Sequence, residues 1–120
     1  MSKRLKPTRV LIVDDSPFIR MSLSKILSAD PEIQVINVAR DGREGILKLQ
    51  ALKPDVVTMD IEMPVMDGLQ ALEEIMRWQP TPVIILSAVT TEGAKQTMKA
   101  LEAGAVEVVA KPSGRNGDGL

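Results

Sequence analysis

Five short runs of β-branched and aliphatic residues recur along the chain: RVLIV at 9–13, QVINV at 34–38, DVVTM at 55–59, PVIIL at 82–86 and VEVVA at 106–110. Between them apolar residues fall three and four positions apart, the spacing of one helix face. Ile19, Leu23, Ile26 and Leu27 form one stripe, Leu69, Leu72 and Ile75 a second, and Ala94, Met98 and Leu101 a third, with a weaker helix over 43–52. Ser16 followed by Pro17 has the form of an N-cap with proline at the first helical position, where its missing N–H is not needed. Gly104 stands where the last of these helices should end.

Strands alternating with helices across short connections predict a parallel sheet, because each helix must carry the chain back to start the next strand. VLIV and VIIL are apolar throughout rather than alternating, as strands covered on both faces should be. The expected fold class is therefore α/β, a doubly wound five-stranded parallel sheet, and for a domain of this size the strand order 2-1-3-4-5 is the leading expectation. After the fifth run comes KPSGRNGDGL, rich in glycine and without a helical stripe, which has the composition of a linker. A fifth helix, which would cover the sheet beside the first, is missing from this pattern. The chain is accordingly expected to be one domain over 1–112 with 113–120 opening a linker to an output domain; the alternative is that four helices suffice.

Composition narrows the class. With 120 residues, 44% hydrophobic and 26% charged, one globular core is expected. The longest apolar runs fall far short of the roughly 18 residues of a membrane span, so no membrane insertion is expected. The basic start MSKRLKPTR lacks the apolar stretch of a secretory signal, which favours the cytoplasm. A net charge of -1 and no long basic tract leave no footprint for direct nucleic-acid binding. The chain has no Cys and no His, so a zinc site of the usual ligands, a Ser-His-Asp triad and a Cys-His pair are excluded from this segment. Its chemistry must run on carboxylates, hydroxyls and amines.

In an open parallel sheet ligands bind beyond the carboxyl ends of the strands. The first strand ends in Asp14 and Asp15, the third in Asp60, the fourth in Ser87 and the fifth in Lys111. Each alone has a simpler reading: helix caps for the aspartate pair, a turn for Asp60, a cap or turn for Ser87, a solvated side chain for Lys111. Together they bring three carboxylates, a hydroxyl and an ammonium to one rim. Two unit charges about 4 Å apart at an effective dielectric near 20 repel by roughly 4 kcal/mol, so the carboxylates call for positive charge. Lys111 supplies one, and a hard divalent cation taking oxygen ligands, Mg²⁺, supplies more. Asp15 and Asp60 are expected as direct ligands and Asp14 mostly through water. A carboxylate so placed suits phosphoryl transfer, with Asp60 as nucleophile, Lys111 and the Ser87 hydroxyl on phosphoryl oxygens, and small Ala88 leaving room for the group. The methionines Met59, Met63, Met66, Met76 and Met98 are expected in core and loop packing rather than in a copper or partner-binding set, and Trp78 is expected to pack at a helix end.

At these separations VDDS, MDIEMPVMDG, LSA and AKPSG resemble the receiver domain of two-component response regulators, over about residues 8–112. The resemblance implies the flavodoxin-like form of the fold, a phosphoryl group accepted by Asp60 from a sensor histidine kinase, a Mg²⁺ site of Asp14, Asp15, Asp60 and the main-chain carbonyl of Glu62, and a cis proline after Lys111. PDVVTMDIEMPVMDGLQALEEIM and PTPVIILSAVTTEGAKQTMKALEAGAVEVVAKPSG are similar to the regulatory domain of chemotaxis protein-glutamate methylesterases. That similarity implies a kinase of the chemotaxis type, regulation of the protein's own C-terminal methylesterase domain, and receptor contact through the parent protein; this segment itself is no enzyme. Two positions depart from the receiver pattern. Val108 stands three residues before Lys111, where receivers commonly carry Phe or Tyr, so no ring is there to swing between exposed and buried positions; apolar Val89 lies two after Ser87. The alternatives are a receiver acting alone or attached to a DNA-binding domain and, more distantly, an aspartyl-nucleophile hydrolase of the haloacid dehalogenase kind. The last expects Asp two after the nucleophile, where this chain has Glu62, and a cap insertion it lacks; no P-loop stretch is present either.

Overall fold

The computed structural model describes residues 6–88 and 91–111. Strands β1 (Thr8–Val13), β2 (Ile33–Ala39), β3 (Val56–Asp60), β4 (Val83–Ser87) and β5 (Glu107–Ala110) alternate with helices α1 (Pro17–Ser28), α2 (Gly42–Leu52), α3 (Gly68–Trp78) and α4 (Thr91–Glu102). The strands form one parallel sheet in the order β2-β1-β3-β4-β5, as the spacing predicts. The described chain ends just after β5, with no fifth helix among the described residues. The bond to Pro112 and the proposed linker lie outside them.

The alternation of side chains along each strand splits the interior in two. Leu11 and Val13 of β1, Val57 and Met59 of β3, and Val83 and Ile85 of β4 pack with Leu49 of α2, Ala71, Leu72 and Ile75 of α3, and Ala100 of α4. On the opposite face Val10, Ile12 and Leu86 pack with Ile19 and Leu23 of α1. VLIV is buried at all four positions, whereas in VIIL Ile84 is half-buried and Val109 of β5 is 44% exposed. Both lie on the face where α1 is the only described helix.

Local chemistry fixes the ends. Ser16 accepts from the Ile19 N–H, Asp41 from Glu44 and Asp67 from Gln70, so each of the first three helices starts on a side-chain oxygen. Gly104, at φ 114°, closes α4: its N–H donates to Leu101 O, and that of Ala105 reaches back to Ala100 O at 3.0 Å. Arg9 of β1 donates to the carbonyls of Leu52 and Lys53 at 2.8 and 2.7 Å, satisfying the end of α2.

Three expectations fail. In α4 the predicted stripe of Ala94, Met98 and Leu101 is exposed, and the helix turns Gly93 and Ala100 inward, with Ala103 half-buried just beyond its end. Small residues let α4 approach the sheet, so its bulkier apolar side chains face out and Met98 is not core. Ile26 flanks the narrower stripe of Ile19, Leu23 and Leu27 and is 60% exposed. Trp78 does not pack at its helix end; it is 71% exposed. The buried line of α3 continues instead to Gln79, whose side-chain amide donates to Leu49 O. Met59 and Met63 are buried, and Met66 and Met76 pack against the main core.

Candidate functional site

The carboxyl ends of β1, β3, β4 and β5 bring together the residues singled out from the sequence. Asp60 closes β3 beside Leu86 of β4, and Ser87 is the next residue along, paired with Ala110 of β5. The N–H of Lys111 donates to Ser87 O at 3.0 Å. This sets the Lys111 ammonium 3.1 Å from Asp60 Oδ1, although β3 and β5 are not neighbours.

The β3–α3 turn is held just as closely. Gly68 donates its N–H to Ile61 O at 2.7 Å, and a Cβ at Gly68 would run into the Asp60 carbonyl oxygen. Only glycine allows this approach of α3 to the end of β3. The turn continues through Met66, whose carbonyl accepts from Gly42 N–H of α2 at 2.9 Å. Glu62 lies within it, its side chain exposed.

Asp14 is fully buried, Asp60 is 2% exposed, and Asp15 is exposed. One carboxylate oxygen from each of the three lies within 4.8 Å of the others. Asp14 Oδ1 accepts from Ser16 N–H at 2.9 Å, and Asp60 Oδ1 faces Lys111, but Oδ2 of both Asp14 and Asp60 is buried without a hydrogen-bond partner among the described residues. Burial pushes the Asp60 carboxyl up to about 6, and the Asp14 charge adds to this against the pull of Lys111. Asp14 is also raised, by burial first, against the Ser16 N–H. Burial works against the charge of Lys111, yet Asp60, by its charge and hydrogen bond, together with Asp14 and Asp15 more than offsets it, and its pKa is raised.

Two buried carboxylate oxygens without donors among the described residues, in a cluster where one oxygen of each aspartate lies within 4.8 Å of the others, are the observation that tests a metal. Leaving them bare is unfavourable, and a hard cation satisfies both at once. The donors are all oxygen, with an exposed third carboxylate on the open side, which fits Mg²⁺ keeping some of its waters. Asp14, Asp15 and Asp60 could thus hold a metal ion.

Residues 10–117 match the family described as response regulator receiver domain. The chain belongs to the response regulator receiver family. A protein-glutamate methylesterase/protein-glutamine glutaminase of Desulfitobacterium hafniense is 72% identical over 117 residues, which are 98% of this chain and 30% of that protein. The chain therefore spans about a third of the length of such relatives. The response regulator domain of Thermotoga maritima CheB superposes with a TM-score of 0.84 at 50% identity, over 91% of this chain and 81% of that one. A CheX-CheY-BeF3-Mg+2 complex from Borrelia burgdorferi superposes with a TM-score of 0.81 at 36% identity, over 92% and 82%. As a receiver, the segment is a regulatory domain, and receivers typically bind Mg²⁺.

Ser87 is buried, and among the described residues its hydroxyl makes only a long bond, 3.3 Å, to the carbonyl of neighbouring Ala88, which is exposed. Val108 lies half-buried against the main core, so the place of a receiver's aromatic ring is held by packing. Val89 lies outside the described residues. Sequence reasoning passed over Arg20, whose Nη1 donates to the main-chain carbonyl of Asp14 at 2.8 Å. Arg20 is one helical turn after the Ser16 cap, where a side chain can reach back over the first turn, but the spacing does not reveal the acceptor.

Proposed function

We propose that this receiver accepts a phosphoryl group on Asp60 from a phosphohistidine of a chemotaxis-type sensor kinase and thereby regulates a C-terminal protein-glutamate methylesterase that acts on receptor glutamates. The observation that carries the phosphoacceptor reading is the Asp60 carboxylate: buried, paired through one oxygen with Lys111 at 3.1 Å, its other oxygen without a hydrogen-bond partner among the described residues, in a cluster with Asp14 and Asp15. An Asp60 oxygen forms the new bond to phosphorus as the bond from phosphorus to the kinase imidazole nitrogen breaks, with the imidazole taking up a proton. Asp60 needs no general base when ionised, and its second oxygen remains for a cation.

Asp14, Asp15, Asp60 and the main-chain carbonyl of Glu62 would hold Mg²⁺, which supplies charge stabilisation for the equatorial phosphoryl oxygens. Lys111 sits where its ammonium can follow a phosphoryl oxygen once the Asp60 charge is shared. Among the described residues the Ser87 hydroxyl has only its weak bond to Ala88 to lose in turning toward the group. Drawing Ser87 in shifts the chain after β4, and this movement carries the signal without an aromatic residue at Val108. The BeF3 and Mg+2 of the Borrelia burgdorferi complex support the chemistry by kinship.

The methylesterase output is favoured over a receiver acting alone or on DNA by the Desulfitobacterium hafniense relative. Residues 1–112 are then the receiver and 113–120 the start of the linker, in a cytoplasmic protein. No described helix is long and apolar enough to cross a membrane. Incubation with Mg²⁺ and acetyl phosphate should add one phosphoryl group by intact mass, and Asp60→Asn should abolish it. Unchanged labelling of that variant would remove Asp60 from its role.

A further inference from the structure

Three of the four polar atoms of Asp14 are tied to named partners. Its N–H donates to Ala39 O at 3.0 Å, its Oδ1 accepts from Ser16 N–H at 2.9 Å, and its carbonyl accepts from Arg20 Nη1 at 2.8 Å. Only Oδ2, which is buried, has no hydrogen-bond partner among the described residues. The carbonyl belongs to the peptide joining Asp14 to Asp15, so its direction sets the plane from which the Asp15 side chain departs and from which Ser16 N–H returns to Asp14 Oδ1. Arg20 is itself fixed, since its main-chain N–H donates to Ser16 O at 3.0 Å in the first turn of α1.

We propose that Arg20 is a positioning residue for the cation site: its guanidinium, by holding the Asp14 carbonyl, locks the Asp14–Asp15 peptide in the orientation that presents both carboxylates to the ion. The inference rests on the reading of Asp14, Asp15 and Asp60 as a Mg²⁺ site and names a part of it that touches neither ion nor phosphoryl group.

Two effects of Arg20 oppose each other. As a cation it repels Mg²⁺; as a donor it preorganises the ligands. Of the influences on the Asp14 carboxyl, its charge ranks last, behind burial, the Ser16 N–H, Lys111 and Asp15. A charge-assisted hydrogen bond at 2.8 Å is, by contrast, among the stronger contacts available to a carbonyl. Geometry therefore outweighs charge, and loss of Arg20 weakens Mg²⁺ binding.

Calorimetric titration with Mg²⁺ of the wild-type chain, Arg20→Met and Arg20→Lys, with metal-free melting curves for each, tests this. Arg20→Met should bind Mg²⁺ about tenfold more weakly, the low end of what loss of a group supporting metal ligands produces. Arg20→Lys, which keeps a charged donor, should recover most of the affinity. A purely structural arginine would lower the melting temperature and leave the affinity of the folded protein unchanged; that result, or tighter binding by Arg20→Met, overturns the proposal. If Arg20→Met does not fold, Arg20→Gln takes its place with the same two outcomes. A wild-type chain that binds no Mg²⁺ would instead sink the cation-site reading, and this inference with it.

Discussion

Lys111 reaches across the end of β4 to set its ammonium 3.1 Å from Asp60 Oδ1, joining two strands that share no backbone hydrogen bonds. The register makes this possible: Ser87 carries β4 one residue beyond Leu86, the partner of Asp60, and receives the Lys111 N–H on its carbonyl. The ammonium is the cation nearest a carboxylate that burial and Asp14 both push toward protonation.

Lys111→Met should therefore move the Asp60 carboxyl above about 6, since the variant removes the attraction that holds it down. A carbon-detected NMR titration of the Asp60 carboxyl in metal-free protein measures it directly. An unchanged or lowered value would mean that the ion pair does not govern the site.

The raised carboxyls give the metal-free protein an unusual pH dependence. A folded-state value of about 6 against 3.8 for the free group means that the folded protein binds more protons than the unfolded chain in this window. Stability contributed by Asp60 then falls as pH rises from about 4 through 6, and it is lowest above that range. Metal-free protein should melt several degrees higher at pH 5 than at pH 7.5. Asp14→Asn should raise the melting temperature at pH 7.5 by a few degrees, on the order of 1 kcal/mol, by removing one of the crowded charges, while weakening Mg²⁺ binding. Melting that becomes steadily easier from pH 7.5 to 5 would contradict the crowded-carboxylate account.

Much of this architecture is legible in the sequence because short β-branched and aliphatic runs mark the strands while a 3.6-residue period marks the helices. The strands predicted at 9–13, 34–38, 55–59, 82–86 and 106–110 each lie within a residue of the observed elements, and strand ends point to Asp14, Asp15, Asp60, Ser87 and Lys111. Hydropathy fails where size decides packing. Gly93 and Ala100 bring α4 onto the sheet although Met98 and Leu101 are the more apolar residues. It fails again at Trp78, where Gln79 takes the inner position by bonding to Leu49 O. Arg20 is illegible for another reason: a side chain's bond to a main-chain carbonyl six residues earlier leaves no mark on residue spacing.

Gly68 is the position where the turn after Asp60 tolerates no side chain. A methyl there meets Asp60 O and the Ile61 Cα, both backbone and unable to step aside cheaply. Gly68→Ala should destabilise by about 3 kcal/mol, as severe overpacking does, and lower the melting temperature by on the order of 10 °C. It should also slow acetyl-phosphate labelling in the fraction that remains folded, because the end of β3 must shift. Thermal melting and intact mass on one sample separate the two effects, and wild-type melting would refute the steric argument.

Val65, in the same turn, holds a strained backbone conformation. Its φ of 68° puts a β-branched residue in the left-handed region, and its side chain is 79% exposed, so no burial compensates. An L-residue there costs roughly 1–2 kcal/mol, and asparagine tolerates the conformation better than valine because its short side chain bonds locally. Val65→Asn should stabilise the domain by about 1 kcal/mol and raise its melting temperature by a few degrees, whereas Val65→Ile should leave it unchanged. Labelling of Asp60 at wild-type rate in Val65→Asn would mark the strain as dispensable to phosphoryl transfer. Slower labelling beside the higher melting temperature would instead show that the strained turn helps hold the end of β3, since Met66 O ties it to Gly42 and Ile61 O ties it to Gly68.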